Sequence, residues 1–241
     1  MNLCIIVPCF NEAKRIPLNE FESFLSKFSK ITIHFVNDGS TDITDEILDS
    51  FQKKYPEQVK ILRLTKNLGK GNAIFRGMLK ALENNEYDTL AFLDADLSTY
   101  PEECFYLAEK IRPPIQFVFG SRIKKIDNSI ERRLFRFLIG RIIATVISKV
   151  LKIAVYDTQC GCKIFNRKTA KLAFGKPFIS DWLFDVEIFF RLKNYFGTSD
   201  FIAMSSEIPL KKWKDQGNSK VKWSYGFKIW VDLFNIKRTY R

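Results

Sequence analysis

In its first half the chain alternates short apolar runs with stretches long enough for three helical turns, and this periodicity restricts the fold more than any other feature. The runs are Leu3–Cys9, Ile31–Asn37, 59–64, Thr89–Leu93 and Phe117–Ser121. The first four are near-continuous in apolar or β-branched residues, the pattern of strands covered on both faces. Between them lie 18–28, 41–54, 71–83 and 101–111, the last opening on Pro101, which the first turn of a helix tolerates. Strand, helix, strand, repeated four times, predicts an α/β fold: a doubly wound, mostly parallel sheet flanked by helices. The second half is less regular. There 130–153 reads as a long helix, 156–163 as a polar segment, 183–195 as a helix, 201–208 as a strand and 225–236 as a final amphipathic helix. No repeat or Pro/Ser-rich linker divides the chain, so 1–241 is expected to form one domain, with a regular half over 1–120 and a less regular half over 121–241.

A chain of 241 residues that is 46% hydrophobic can bury a core of this size, and 27% charged residues set it apart from disordered sequences. No uncharged apolar run approaches the ~20 residues that cross a bilayer, and the N-terminus lacks the basic stretch and cleavage site of a secretory signal. A cytoplasmic protein is expected. Five cysteines, an odd number, do not read as a disulfide framework. The net charge of +12 is unevenly spread, near −3 over 1–120 and +15 over 121–241. A basic face confined to one half fits an anionic partner. Nucleic acid, an anionic membrane surface and a phosphorylated substrate all qualify by charge alone.

In an open parallel sheet, ligands bind beyond the carboxyl ends of the strands. The most out-of-place polar residues stand there: Pro8-Cys9-Phe10-Asn11-Glu12, Asn37-Asp38-Gly39-Ser40-Thr41-Asp42, Asn67-Leu68-Gly69-Lys70-Gly71-Asn72 and Asp94-Ala95-Asp96. Asp38 can accept from a base or ribose donor, or the segment can be an ordinary turn and helix cap. Lys70 between two glycines can reach a nucleotide, although the spacing matches neither a P-loop nor a dinucleotide fingerprint. Asp94 and Asp96, leaving a buried strand one residue apart, repel each other without a cation. Mg²⁺ or Mn²⁺, held by carboxylates and substrate phosphates, would resolve that repulsion and neutralise a diphosphate leaving group. A solvated Asp-x-Asp turn is the competing reading.

These four segments resemble the family 2 inverting glycosyltransferases of GT-A fold. Gly120-Ser121-Arg122, Asp157-Thr158-Gln159-Cys160-Gly161-Cys162-Lys163-Ile164-Phe165 and Trp182-Leu183-Phe184-Asp185-Val186-Glu187 are similar to the dolichyl-phosphate β-glucosyltransferase branch, close to the polyprenyl-phosphate mannose and glucose synthases. The similarity spans nearly the whole chain. Two departures are visible: Cys162 stands where the branch usually has Phe, and Asn37 where the wider family often has Asp. The resemblance implies a UDP-sugar in the crevice bound by Pro8, Asn11, Glu12, Asp38 and Lys70. Asp94 and Asp96 would hold a metal-bound diphosphate, and transfer would invert the anomeric centre in one displacement. It also places an acid, Asp185, at the start of a helix as the candidate base; Asp157 is second.

A sugar hydroxyl acceptor needs a general base, whereas a phosphate is already ionised and needs cationic positioning. The basic half favours a polyprenyl phosphate, with Arg122, Arg132, Arg133 and Arg136 as its candidate ligands because arginine binds phosphate bidentately. A glycan hydroxyl is the alternative acceptor, and Trp213 is placed to close over the sugar. The apolar helix 130–153 and the aromatic, basic C-terminal helix suit a membrane surface or a membrane-protein partner, giving an enzyme peripheral to the inner face of a membrane. Core packing with snorkelling arginines explains the same residues. Nucleic acid is not an expected partner.

Overall fold

The computed structural model describes residues 1–131, 134–215 and 225–240. Strands β1 (Leu3–Cys9), β2 (Ile31–Asn37), β3 (Val59–Arg63), β4 (Thr89–Leu93) and β5 (Phe117–Ser121) alternate with helices α1 (Leu18–Lys27), α2 (Thr44–Lys54), α3 (Lys70–Glu83) and α4 (Pro101–Ala108). A short strand β6 (Ser129–Glu131) precedes α5 (Leu134–Leu151). Then come β7 (Cys162–Asn166), α6 (Arg167–Ala173), α7 (Phe184–Phe196), α8 (Thr198–Ala203), β8 (Ser205–Pro209), β9 (Lys212–Lys214) and α9 (Tyr225–Thr239). The main sheet has seven strands in the order β3-β2-β1-β4-β7-β5-β8, and β6 pairs with β9 in a second, two-stranded sheet.

Six of the seven strands run parallel; β7 is antiparallel to both β4 and β5. The sheet therefore continues from the first half of the chain into the second. Period-2 alternation divides the apolar side chains between its faces. Leu3, Ile5 and Val7 pack with Phe21 and Phe24 of α1 and Leu48 and Phe51 of α2. Cys4 and Ile6 pack with Ala73, Ile74 and Met78 of α3, in a cluster that extends to Phe92, Phe117, Phe165, Phe184 and Phe189. All five cysteines are buried, and none is in a disulfide.

Strand positions expected from apolar runs match closely, and three expectations in the second half are corrected. The polar segment 156–163 leads into a buried strand, β7, whose Lys163 disguises it. The stretch 130–153 divides into β6 and α5, with two residues between them outside the described set. The strand expected at 201–208 is the end of α8 followed by β8. No helix among the described residues is long and apolar enough to cross a membrane.

The single histidine, His34 of β2, is 9% exposed and its Nδ1 has no hydrogen-bond partner among the described residues. Burial, helped by Lys60 and Lys80, lowers its pKa to about 4. A neutral buried imidazole contributes stability that is lost as pH falls from the unfolded value of 6.5 toward 4, because only the unfolded chain takes up the proton in that window. His34→Leu is expected to remove about 2–3 kcal/mol of the stability difference between pH 7 and pH 4.5, measured by urea unfolding of both proteins at the two pH values.

Candidate active site

The carboxyl ends of β1, β2 and β4 open into a cavity of about 850 Å³ at the point where strand order reverses between β1 and β4. Pro8, Glu12, Asp38, Lys70, Asp94, Asp96, Arg122, Asp157 and Asp185 all line it. Seven segments remote in sequence thus meet around one space, whose volume falls within the range of small-molecule sites.

Backbone geometry fixes the β1 and β2 loops against each other. Asn11 adopts a positive φ of 51°. Its backbone N–H donates to Ser40 Oγ (3.0 Å) and its Oδ1 accepts from the Thr41 N–H (2.8 Å). Asn11 therefore stands behind the wall as a brace between loops rather than on it. Asn37 accepts from the Ser40 N–H at 3.0 Å and donates through Nδ2 to Asp45 at 2.8 Å. Only an amide can do both, which gives a physical reason for Asn where an acid is usual. Glu12 is buried and ion-paired to Arg15 at 2.8 Å.

Asp38 is 2% exposed, and its two oxygens accept from the backbone N–H of Leu68 (2.8 Å) and Gly69 (2.9 Å). Burial raises its pKa while these two donors oppose the rise. This carboxylate clamps the loop that delivers Lys70, the first residue of α3. Gly39, at φ 65°, lets the clamp close: a Cβ there would lie 2.5 Å from the Lys66 carbonyl carbon.

Lys70 Nζ lies 2.5 Å from Asp94 Oδ1. The Lys70 pKa is raised despite burial by the surrounding Asp94, Asp185 and Asp96. On its other side Asp94 touches backbone, since a Cβ on Gly161 would sit 2.2 Å from Asp94 Oδ2. Asp96 Oδ1 accepts from the Ser98 N–H at 3.0 Å, and its pKa is raised by burial and by the charge of Asp94. Two mutually repelling carboxylates with hard oxygen donors fit a divalent cation. Among the described residues no cluster of three or more metal-binding side chains occurs. Any such ion would need further oxygens from a ligand or water, as Mg²⁺ and Mn²⁺ sites commonly do.

The second half of the chain supplies the opposite wall. Arg122 meets Asp157 bidentately (Nε to Oδ2 2.6 Å, Nη2 to Oδ1 2.8 Å), and its backbone N–H also donates to Asp157 at 3.1 Å. Burial and Coulomb attraction compete at Arg122, and the Asp157 carboxylate leaves its pKa raised. Trp213 does not line the cavity; its ring lies 5.4 Å from the Arg122 guanidinium. Arg132 and Arg133 lie outside the described residues, as does the Arg136 side chain.

Asp185 opens α7, where the helix N-terminus favours a negative charge. It accepts a close hydrogen bond from Lys163 Nζ, which also donates to the Cys160 carbonyl at 2.8 Å. Lys163 is fully buried in β7. Burial raises the Asp185 pKa, and Lys163 and Lys70 oppose the rise.

Lys163, Arg141, Thr158, Asp181 and Trp182 were not singled out as site residues from sequence, although the last four line the cavity. A lysine inside the apolar run Cys162-Lys163-Ile164-Phe165 was the available signal, since a buried ammonium requires a partner. Arg141 likewise interrupts the apolar face of α5.

A seven-stranded, mostly parallel sheet with acids at the β4 exit and arginines among the acids of the far wall is the architecture of a GT-A glycosyltransferase, and comparison with known proteins agrees. The glycosyl transferase family 2 profile matches residues 4–172. The dolichyl-phosphate beta-glucosyltransferase of Drosophila melanogaster is 32% identical over 254 residues, covering 98% of this chain and 74% of that protein. The human protein of the same name is 30% identical over 260 residues, covering 99% and 75%. Among solved structures, glucosyl-3-phosphoglycerate synthase from Mycobacterium tuberculosis in complex with Mn²⁺, UDP and phosphoglyceric acid superposes with a TM-score of 0.71 at 15% identity, covering 98% of this chain and 78% of that one. Mannosyl-3-phosphoglycerate synthase from Rubrobacter xylanophilus gives 0.72 at 14% identity, covering 100% and 74%. The chain belongs to glycosyl transferase family 2, and it is a glycosyltransferase.

Breaking one side of a buried ion pair leaves a charge without compensation, whereas removing both sides is close to neutral. Lys163→Met is therefore expected to destabilise the protein by about 3 kcal/mol or more, and Lys163→Met with Asp185→Asn to recover most of that loss. Urea midpoints of the single and double variants check this.

Proposed function

We propose that this protein transfers glucose, with inversion, from UDP-glucose to a polyprenyl phosphate, and that residues 1–241 act as one catalytic domain. The carrying observation is the Asp94–Asp96 pair converging with Lys70 in the cavity. The 30–32% identical dolichyl-phosphate glucosyltransferases, matched over nearly the whole chain, support the glucose and the lipid phosphate.

In this reading the loops after β1 and β2, braced by Asn11 and lined by Pro8, Glu12 and Asp38, shape the uridine end. Asp38 contributes by holding the 68–70 backbone in place. Asp94 and Asp96 would hold a Mg²⁺ or Mn²⁺ ion, which when bound supplies charge neutralisation at the diphosphate. Lys70, freed from Asp94, turns to the same phosphates. An acceptor phosphate oxygen forms the new bond to the anomeric carbon as the bond to UDP breaks, and UDP leaves with the electron pair. Such an oxygen is already anionic, so no proton need be removed. Arginine on the far wall orients it. Asp157, with both oxygens engaged by Arg122, positions that arginine rather than acting as a base.

The cavity position of Asp185 favours a second reading, in which it deprotonates a glycan hydroxyl. Its bond to Lys163 weighs against this. We place the enzyme at the cytoplasmic face of a membrane, where such acceptors are presented. Exposed Leu138 and Ile142 on α5 and exposed Trp230, Val231 and Phe234 on α9 support that placement.

Transfer from UDP-glucose to polyprenyl phosphate in the presence of Mn²⁺ tests the function directly, with free glycans as the comparison panel and chelator expected to abolish activity. Asp185→Asn is expected to lose less than the roughly 10²-fold that removal of a general base costs. A larger loss, or transfer to glycans alone, would favour the second reading. Gly161→Ala is expected to push the Asp94 carboxylate aside and weaken Mn²⁺-dependent UDP binding by about tenfold, or 1.4 kcal/mol, as read by calorimetric titration.

A further inference from the structure

Four cations line the cavity among the described residues: Arg15, Lys70, Arg122 and Arg141. Three are committed to carboxylates, namely Arg15 to Glu12, Lys70 to Asp94 and Arg122 to Asp157. Arg141 is different. Its Nη1 donates to the Tyr156 carbonyl at 2.7 Å, and its guanidinium lies 3.6 Å from the centre of the Tyr156 ring. Both contacts orient the planar group and neither cancels its charge. The acid its field reaches, Glu207, already accepts from the backbone N–H of Tyr156 (2.9 Å) and Asp157 (2.8 Å).

Two residues beyond Tyr156, Thr158 also stands on the cavity wall. It is 1% exposed, and its buried Oγ1 has no hydrogen-bond partner among the described residues. A buried hydroxyl without a partner is uncommon and calls for a ligand or water to satisfy it. An oriented arginine without a carboxylate and an unsatisfied hydroxyl, joined by three consecutive residues, form a ready-made site for a tetrahedral oxyanion. Arginine supplies forked donors to two oxygens and the threonine hydroxyl donates to one.

We propose that Arg141 and Thr158 grip the phosphate of the acceptor, a task the sequence alone would give to Arg122, Arg132, Arg133 and Arg136. The inference rests on the transferase reading above and deepens it. Arg122 is the weaker candidate because Asp157 already occupies its fork. The same helix explains how a lipid would leave the site. Ile143 and Ala144 of α5 line the cavity beside Arg141, and Leu138 and Ile142 lie exposed on that helix. An isoprenoid chain attached to a phosphate on Arg141 thus has an apolar path to the surface, which a free sugar phosphate would not use.

The test uses the full chain with farnesyl phosphate as a dispersible acceptor, UDP-glucose and Mn²⁺, comparing Arg141→Ala, Arg141→Lys and Thr158→Val. Loss of a charge-assisted donor predicts a rise of about tenfold or more in the KM for farnesyl phosphate in Arg141→Ala, a smaller rise in Arg141→Lys and about threefold in Thr158→Val. The KM for UDP-glucose should stay within about threefold in each, which general damage to the fold would not allow. Inorganic phosphate should compete with farnesyl phosphate in the unsubstituted protein and do so about tenfold less well in Arg141→Ala; farnesol should not compete. Should Arg141→Ala fail to fold, the near-isosteric Thr158→Val and the charge-conserving Arg141→Lys decide. Unchanged acceptor KM in both Thr158→Val and an Arg141 variant overturns the clamp, as does an equal rise for donor and acceptor. Calorimetric titration with farnesyl phosphate separates the two levels. An unsubstituted protein that binds farnesyl phosphate through Arg141 without transferring glucose upholds the clamp and counts against the reaction. One that transfers glucose with binding indifferent to Arg141 does the reverse.

Discussion

Asp94 is held between two neighbours: the Lys70 ammonium 2.5 Å from one oxygen and the backbone of Gly161 against the other. That contact joins three pieces of chain remote in sequence. Strand β4 delivers the carboxylate, the loop pinned by Asp38 delivers the lysine, and the turn before β7 supplies the glycine. The turn can reach Asp94 only because β7 enters the sheet antiparallel, between β4 and β5. A parallel strand in that slot would put its carboxyl end, not its approach, at the crevice. One reversed strand therefore brings the 157–163 segment beside the acids of the nucleotide half.

Electrostatics at this point is a matter of sharing rather than of net sign. The cavity wall holds Asp38, Asp94, Asp96, Asp157, Asp181 and Asp185 despite the chain's net charge of +12. Burial costs a carboxylate its solvation, and each of these is answered locally. Asp38 has two backbone donors, Asp94 has Lys70, Asp157 has Arg122, Asp181 accepts from Asn72, and Asp185 has Lys163. Asp96 has a single backbone donor and the charge of Asp94 beside it. Asp96 sits where a cation is expected, and among the described residues lining the cavity the cation least committed to an acid, Arg141, sits on the opposite wall.

Much of this was legible from residues alone, for identifiable reasons. Strands β1, β2, β4 and β5 begin and end where their apolar runs do, because they are covered on both faces and have no polar alternation to blur their limits. The polar segments after the first four strands gave the crevice, since polar residues following a buried strand have few other places to be. Strand β7 stayed hidden because Lys163 breaks its apolar run. What makes that lysine tolerable is Asp185, 22 residues away in sequence, and no local pattern carries such a pairing. For the same reason Arg122 looked like a free phosphate ligand: its engagement with Asp157 spans 35 positions and exists only in the folded chain. Asn11 is expected from sequence to bind the nucleotide-sugar, but it does not line the cavity; it braces two loops, which depends on a positive φ that sequence does not announce.

Catalysis in this site turns on whether the acids at the end of β4 exchange a lysine for a metal when nucleotide arrives. Anomalous diffraction from a crystal grown with Mn²⁺ and UDP measures this most directly. It should show one manganese peak between Asp94, Asp96 and the diphosphate, with Lys70 Nζ moved from Asp94 to a phosphate oxygen. Manganese elsewhere, with UDP in the cavity and Asp94 still paired to Lys70, would contradict it.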